Sequence, residues 1–368
     1  MTKEVISDKQ GISLVILFIM GSTLVLGTGA EAGKDSWLAI LVAAAFACPV
    51  VLMYSRLLAL SPGKDLFYIS EWVLGRMLGK GIGLLYIWFA FHLGALVIRN
   101  FGEFINTISL PETPKIIPMT GLVLLCLWAV KSGIEVLGRW GELGLIVLLI
   151  LIFLTIGLLV PKMDWRNIQP FLQKGFKPIG KGALAVFSFP FAETVVFAGV
   201  FSVLQRKNSI YRVYLWGLLL GAAIVWATAF TEILVLGEGE YTTILFPAHS
   251  TVRRINIRNF IQRLEIIPAI AFLGGGFIKV SICLFSACYG IARVCNYEDY
   301  RIVASPVALL MLNLSHWIYD STMEMFDWAF QVWPYYAFFF QVILPAILLV
   351  AGEIKNRQGK GAGKNYDG

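Results

Sequence analysis

The chain has 368 residues, of which 58% are hydrophobic and 14% are charged, whereas about 25% of residues are charged in a typical soluble domain. Its net charge of +7 does not indicate a nucleic-acid partner, because membrane proteins carry an excess of Lys and Arg on their cytoplasmic loops. The composition therefore excludes an ordinary soluble domain and predicts a helical protein of the lipid bilayer.

Apolar runs divided by polar or charged segments predict an all-α polytopic membrane protein with ten transmembrane helices. The ten runs cover residues 11–30, 37–60, 82–106, 117–132, 141–160, 182–204, 211–236, 266–290, 303–319 and 335–352. They form one transmembrane domain, residues 1–352, with a first repeat at about 11–160 and a second at about 182–352. Residues 353–368 are rich in Gly and Lys and predict a flexible cytoplasmic tail.

The distribution of Lys and Arg predicts the orientation of the chain. These residues concentrate in the segments that face the cytoplasm if the N-terminus lies inside, so both termini are predicted to be cytoplasmic. Two long segments then lie outside, residues 161–181 and 237–265. Within the second, residues 255–264 place apolar side chains at helical spacing with basic residues between them. Two interpretations stay open for that stretch: an amphipathic helix on the membrane surface, or a lid over an outer vestibule.

Two of the predicted spans, the first and the sixth, are interrupted at mid-span by residues that break helices. The first span contains two clusters of small residues: Gly21, Ser22, Thr23, Gly27, Thr28 and Gly29. The sixth contains a run with a proline near its centre: Phe187, Ser188, Phe189, Pro190 and Phe191. A broken membrane helix is tolerated only where the break is buried in protein or lines a cavity. Paired breaks in matching positions of two halves predict a site for a small solute at the bilayer midplane.

Each break has a simpler alternative interpretation. Glycines let the backbone approach a ligand, and the helix N-terminus exposed by a break attracts a carboxylate, but small residues also serve close helix packing. Pro190 frees carbonyl groups that a ligand amine or a cation could use, and the neighbouring aromatic rings could wall a pocket. The alternative there is a proline kink in an ordinary helix.

Three ionisable residues lie inside apolar runs: Glu193 in the sixth span, Glu232 in the seventh and Lys279 in the eighth. Such groups are costly at membrane depth, so they face a cavity or a partner, and we predict coupling or ion-pair roles. Lys279 has Glu193 or Glu232 as candidate partners, and a proton-carrying role is the alternative. Glu193 could equally accept a proton, bind a ligand amine or cap the broken helix.

Two further residues are candidates for the solute site: His92 in the third span and Ser281 in the eighth. For His92 the alternative is a packed, hydrogen-bonded side chain. Arg99 and Glu103 are four residues apart on one helix, and this spacing predicts an ion pair.

Catalytic and metal-binding motifs are missing from the sequence. It contains no Walker A loop, no H-E-x-x-H and no G-x-S-x-G. Its three histidines are scattered and its five cysteines lack the spacing of a zinc site. The sequence therefore predicts no enzyme, no metal site and no cofactor.

Four short sequences stand in order along nearly the whole chain: Ile6-Ser7-Asp8-Lys9-Gln10, Gly33-Lys34-Asp35-Ser36-Trp37-Leu38, Phe189-Pro190-Phe191-Ala192-Glu193 and Gln262-Arg263-Leu264-Glu265. With breaks in spans 1 and 6, the chain resembles the amino acid–polyamine–organocation superfamily of transporters and its five-plus-five inverted repeat. Within that superfamily it is similar to the GerAB-type B subunits, or permease subunits, of bacterial spore germinant receptors. It departs from their pattern at Ala192, where many relatives have Gly, and at Lys34, where Arg is frequent.

The resemblance implies a protein of the spore inner membrane that works beside A-type and C-type receptor subunits. It implies a small nutrient germinant as ligand, commonly an amino acid such as L-alanine and sometimes a sugar or a nucleoside. In the superfamily, helix 8 packs on helix 1, where sodium-coupled members hold a cation, so Lys279 in helix 8 predicts little sodium dependence. The alternative function is a proton-coupled amino-acid transporter that uses the same pocket in a complete transport cycle.

Overall fold

The computed structural model describes residues 4–255, 264 and 266–363. The segment predicted to form an amphipathic helix or a lid, residues 255–264, lies outside the described residues except at its two ends. The secondary structure of the described part is helical, with one isolated bridge between Ile6 and Leu204.

The first half of the chain begins at a well-defined cap. Ser7 accepts a hydrogen bond from the backbone N–H of Gln10 at 3.2 Å, and the Gln10 side chain accepts from the Ser7 N–H at 2.9 Å. This reciprocal pair is a capping box, and it starts the first helix. The helices of this half are α1 (Asp8–Met20), α2 (Ser36–Ala59), α3 (Leu66–Leu74), α4 (Arg76–Ile108), α5 (Ile116–Ser132) and α6 (Ile134–Leu159).

The second half begins after a stretch of turns and contains α7 (Phe176–Val186), α8 (Ile210–Thr243), α9 (Pro247–Val252), α10 (Ile266–Cys295), α11 (Arg301–Trp317), α12 (Thr322–Asp327), α13 (Trp333–Phe338) and α14 (Leu344–Gly363). Two π-helical turns, Trp328–Val332 and Phe339–Ile343, join the last three of these. Helices in equivalent positions of the two halves pack in pairs: α2 on α8, α4 on α10, and α5 on α11. This pairing places both breaks at the centre of the molecule.

Seven helical segments of the described chain are long and apolar enough to cross a membrane: Ala30–Ala59, Arg76–Ile108, Ile134–Lys162, Phe176–Gly199, Lys207–Thr243, Ile266–Cys295 and Thr322–Gln358. The all-α membrane fold is therefore confirmed. The other three predicted spans coincide with shorter helices, since α1 has 13 residues and α5 and α11 have 17 each. The count of ten crossings stays a prediction.

Several predicted boundaries differ from the structure. The seventh span was expected to end at residue 236, but α8 turns at Gly237, where φ is +75°, and runs on to Thr243. The tenth span was expected to start at residue 335, but its helical path begins at Thr322. Charged Glu324 and Asp327 lower the hydropathy of that stretch and conceal it in the sequence.

The tail predicted to be flexible from residue 353 is helical as far as Gly363, and residues 364–368 lie outside the described part. Two contacts hold its first turn against the first half. Arg56 Nε lies 2.6 Å from Glu353 Oε1, and Lys355 Nζ donates to the Trp72 carbonyl at 2.6 Å. These partners are distant in sequence, which is why composition alone misses them.

Candidate functional site

The first break is a stretch of turns, residues 21–29, after the end of α1. Within the described chain, the backbone N–H groups of Gly27, Thr28 and Gly29 donate to no other backbone or side-chain group. Gly29 has φ of +73°, a left-handed conformation that favours glycine. Three successive N–H groups without partners are available to an anionic group such as a carboxylate.

Thr28 fixes the path of this break. Its Oγ1 donates to the carbonyl of Thr23 at 3.0 Å and lies 3.3 Å from that of Leu26. Its own carbonyl accepts a hydrogen bond from the Tyr241 hydroxyl at 2.8 Å. The loop is therefore closed on itself and fastened to α8 without using its own N–H groups.

Gly21, at the start of the break, serves packing. A Cβ atom at this position would lie 2.7 Å from Cδ of Lys279, and a Cβ on Gly275 would lie 2.9 Å from the Gly21 nitrogen. The backbones of the break and of α10 thus approach each other closely at Gly21 and Gly275. Packing therefore accounts for Gly21, whereas the ligand-site interpretation stays a prediction for residues 27–29 with their free N–H groups.

The second break is built differently. After α7, a π-helical turn Phe187–Phe191 contains Phe189 in an extended conformation (φ −144°, ψ 107°). The Ser188 carbonyl at this turn accepts from Gln341 Nε2 at 2.8 Å and from Trp333 Nε1 at 3.2 Å. A carbonyl predicted to serve a ligand amine or a cation is therefore satisfied by side chains of the last membrane segment.

A buried ion pair joins the second break to α10. Lys279 Nζ lies 2.5 Å from Glu193 Oε2, and both side chains have 0% exposure. The same ammonium lies 4.5 Å from the ring centroid of Phe189 and 5.1 Å from that of Phe18. Of the two candidate partners named for Lys279, the structure assigns Glu193. The other carboxylate oxygen of Glu193 has no hydrogen-bond partner in the described chain.

A cavity separates the two breaks and encloses about 750 Å³ of empty space, counting its open mouth. The breaks contribute Leu26, Gly27, Thr28, Gly29, Phe189 and Glu193 to its wall. Helices α4 and α7 contribute Leu93, Leu96, Val97, Asn100, Ala185 and Val186. The segment from α11 to α13 contributes Tyr319, Met325, Phe326, Trp328, Ala329, Phe330 and Trp333. Pockets for small molecules have such predominantly apolar walls with a few polar groups.

Several predicted site residues lie outside this wall. The side chains of Ser22, Thr23 and Ser281 are buried, and their hydroxyls have no hydrogen-bond partner in the described chain. The Ser188 side chain donates back to the Ala185 carbonyl at 3.0 Å. Phe187 faces another cavity. Pro190 and Phe191 are buried and absent from the wall of the central cavity. Sequence could place the breaks, but it could not give the direction of side chains on an irregular backbone.

His92 faces a neighbouring cavity that it shares with Tyr319 and Trp328. Its ring stacks on Trp88 at 5.4 Å and meets Tyr336 edge-on at 5.4 Å. This aromatic surrounding agrees with the packing of the alternative interpretation but not with its hydrogen bond, because Nδ1 of His92 has no hydrogen-bond partner in the described chain.

The predicted Arg99–Glu103 pair is confirmed, at 2.8 Å with both side chains buried. It is part of a larger network, because Glu103 also lies 2.7 Å from Lys115 Nζ and accepts from the Thr322 hydroxyl at 2.8 Å. Arg99 Nη1 donates to the His316 carbonyl at 3.0 Å. The network fastens to α4 the segment that brings Tyr319, Met325 and Trp328 to the cavity.

That segment is the part of the site that sequence reasoning missed. Residues 322–334 belong to none of the predicted spans, yet they supply six of the wall residues: Met325, Phe326, Trp328, Ala329, Phe330 and Trp333. In the sequence, the high density of aromatic residues in this stretch is the feature that could have indicated a pocket wall.

Comparisons with known proteins give a consistent picture. A family model described as "Spore germination protein" matches residues 5–322. Spore germination protein KB of Bacillus subtilis (strain 168) is 30% identical over 369 aligned positions, which cover 99% of each chain. Spore germination protein GerQB of Bacillus cereus is 23% identical and covers 89% of each chain.

Two solved structures have the same fold at low sequence identity. MHP1, a nucleobase-cation-symport-1 family transporter solved in a closed conformation with bromovinylhydantoin bound, gives a TM-score of 0.67 at 12% identity, covering 94% of this chain and 78% of its own. MhsT, solved in complex with L-phenylalanine, gives 0.65 at 11% identity and covers 97% of each chain.

Proposed function

The chain belongs to the spore germination protein family, and on that premise we propose that it is the B subunit of a spore germinant receptor that binds its germinant between the two breaks. It is an integral membrane protein with a transporter-like fold, and its family is one of germination permeases rather than enzymes. The observation that carries the proposal is the cavity walled by residues 26–29 of the first break and by Phe189 and Glu193 of the second.

The ligand we propose is an amino acid with an apolar side chain. The free N–H groups of Gly27, Thr28 and Gly29 suit its carboxylate. The unpartnered oxygen of Glu193 suits its ammonium group. The remaining wall is mostly apolar, with Leu96 and Trp328 among its members. A sugar would leave the N–H groups without an anionic partner.

Lys279 supports the proposal that the receptor works without sodium. Its side chain reaches the start of the first break, as the 2.7 Å approach of its Cδ to a Cβ on Gly21 indicates. The ammonium is thus a fixed positive charge between α1 and α10. Such a charge supplies what a bound cation would otherwise supply there.

We further propose that the protein acts in the spore inner membrane with both termini in the cytoplasm, beside A-type and C-type subunits. A ligand shifts a conformational equilibrium only through different affinities for its two states. The breaks are the parts of the backbone best able to differ between such states, and the partner subunits would respond to that difference. Copurification of A-type and C-type subunits with this chain from spore membranes is the expected result.

The proposal is tested by ligand binding to the purified protein in nanodiscs. The panel consists of L-alanine, L-valine, L-leucine and L-phenylalanine, with glucose and inosine as comparison ligands. Ala329→Trp places a large ring at the wall of the cavity and is expected to abolish amino-acid binding. Ala45→Trp places the same ring on the exposed side of α2, away from the cavity, and is expected to leave binding intact. Equal binding by both variants would contradict the site.

The fold shared with MHP1, a transporter, favours one alternative, proton-coupled amino-acid transport. Liposomes that contain the protein separate the two functions. The receptor proposal predicts saturable binding without concentrative uptake of labelled amino acid under a proton gradient. Concentrative uptake, together with normal germination of spores that lack the gene, would favour transport.

A further inference from the structure

A second, separate cavity reaches the first break from the side of α6, α8, α9 and α10. It encloses about 470 Å³ of empty space, counting its opening, and it shares no wall residue with the cavity between the breaks. Its wall consists of Leu24, Ile152, Thr155, Ile156, Leu159, Thr228, Thr231, Glu232, Ala248, Thr251, Val252, Ile267, Pro268 and Ala271. Leu24 belongs to the break itself, so an occupant of this cavity would touch the hinge region of α1.

Glu232 is the charged group of this second cavity. Its side chain is only 6% exposed, and no described residue forms a hydrogen bond or an ion pair with it. The contrast with Glu193 is direct, because Glu193 is equally deep and has Lys279 at 2.5 Å. An ionisable group inside a membrane protein faces a cavity or pairs with a partner, and the described chain supplies Glu232 with a cavity and no partner.

Four threonines share the wall of the cavity with Glu232: Thr155, Thr228, Thr231 and Thr251. Thr155 and Thr231 donate to carbonyls of their own helices, both at 2.8 Å, and Thr228 does the same at 3.0 Å. Their oxygens therefore keep lone pairs for another donor. Thr251 is 1% exposed, and its hydroxyl has no hydrogen-bond partner in the described chain. The polar end of the cavity thus offers acceptors and one negative charge.

The rest of the cavity is apolar. Nine of its fourteen wall residues are aliphatic or proline, with Ile152 and Ala271 among them. A metal ion needs a shell of several ligating groups, and the described residues contain no cluster of three or more His, Cys, Asp or Glu that could hold one. A primary ammonium has three donors for such acceptors, and an attached hydrocarbon chain matches the apolar walls.

We propose that this cavity is a second ligand site, specific for a primary ammonium group that carries an apolar chain, with the nitrogen at Glu232 and the chain between α6 and α10. The inference does not depend on the germinant site, because the two cavities have no residue in common. A free alkylamine and an aminophospholipid of the surrounding bilayer share this chemistry.

The test is binding of hexylammonium to the full-length protein in phosphatidylcholine nanodiscs, with neutral hexanol as its uncharged counterpart. Glu232→Gln keeps the shape of the side chain and removes the charge, so the affinity for hexylammonium is expected to fall by at least about tenfold. Affinity for hexanol should not change. Glu240→Gln is the matched control on the same helix, since Glu240 is 46% exposed and already paired with Arg254 at 2.6 Å. Equal hexylammonium affinity in wild type and Glu232→Gln would overturn the proposal.

A second variant keeps the test decisive if Glu232→Gln does not fold. Ala271→Phe fills the apolar end of the cavity and is expected to abolish binding of both hexylammonium and hexanol. Unchanged binding of both ligands would contradict the site. A wild-type protein that binds K⁺ at Glu232 but does not bind hexylammonium would contradict it as well. Nanodiscs that also contain phosphatidylethanolamine distinguish the two sources of the ammonium group. If the lipid lowers the binding of hexylammonium, the ligand is the lipid. If the binding of hexylammonium is undiminished, the ligand is a free amine.

Discussion

The two breaks occupy equivalent positions in the two halves of the fold but satisfy their backbone groups in different ways. In the first break, Gly27, Thr28 and Gly29 keep free N–H groups in the described chain. In the second, side chains take up exposed carbonyls, as Gln341 and Trp333 do for Ser188. One break is open to a ligand and the other is braced by the protein. The open break thus offers backbone donors to a ligand, whereas the braced break contributes the Glu193 carboxylate and the Phe189 ring to the wall of the same cavity.

The largest expected effect concerns the ion pair at the braced break. Lys279→Met leaves the Glu193 carboxylate buried without its partner, so the free energy of unfolding should fall by about 3–5 kcal/mol. Adding Glu193→Gln should restore the greater part of this loss, because no unpaired charge then remains. Lys174→Met is the control, since Lys174 lies 2.5 Å from Glu238 but is 61% exposed, and such a surface pair contributes at most about 1 kcal/mol. Unfolding in a denaturing detergent measures the free energy of unfolding of the wild type and of these three variants. A double variant no more stable than Lys279→Met would show that the unpaired charge is not the cause.

The next prediction separates an effect on the stability of the braced break from an effect on ligand affinity. Gln341→Leu removes the shorter of the two hydrogen bonds to the Ser188 carbonyl, and the free energy of unfolding is expected to fall by about 1–3 kcal/mol. The dissociation constant of the amino acid should change little, because Gln341 does not line the cavity. Thermal unfolding and binding on the same sample provide both numbers. A variant of normal stability with a greatly weakened affinity would reverse the roles assigned to the breaks.

The open break should show the opposite pattern. Thr28→Val removes the Oγ1 that holds the loop closed, and its stability cost is about 1 kcal/mol. The affinity for the amino acid should fall by about tenfold, since the three N–H groups lose their fixed arrangement. Thr120→Val, which removes a comparable hydroxyl-to-carbonyl bond of 2.7 Å within α5, serves as the control for stability alone. The account would be wrong if both valine variants bound the amino acid as tightly as wild type.

The smallest expected effect is that of sodium. Because the Lys279 ammonium already lies between Phe18 of α1 and Phe189 of the second break, replacing sodium by N-methylglucamine should leave the affinity for the amino acid unchanged within error. Equilibrium binding in the two buffers measures it. An affinity that rises in proportion to sodium concentration would show that a cation site exists beside the lysine.

Sequence predicts the fold and the position of the breaks because both follow from composition and spacing. Apolar runs, the small residues at 21–29 and Pro190 are local signals. Sequence also limits the candidate partners of Lys279 to Glu193 and Glu232, because few residues at membrane depth are charged. The choice between those two required the packing of α10 against the breaks, which only the structure provides.

The rest of the site could not be predicted because it depends on side-chain direction and on distant contacts. Ser188 and Pro190 lie in a break, yet the direction of their side chains follows from the local turn at Phe189. The aromatic wall around Trp328 comes from a segment that is only moderately apolar. Its place at the cavity follows from the Arg99 and Glu103 network, which joins α4 to residues more than 200 positions further along the chain.

The most direct test of the central claim, that the germinant lies between the two breaks, is protection of single cysteines against a maleimide reagent. The background replaces the five native cysteines, and Ala329→Cys or Ala248→Cys then places one thiol in the first or the second cavity. The account predicts that saturating L-valine, or whichever amino acid of the panel binds, slows labelling of Ala329→Cys and leaves the rate for Ala248→Cys unchanged. Protection of Ala248→Cys alone, or of neither thiol at saturating ligand, would contradict it.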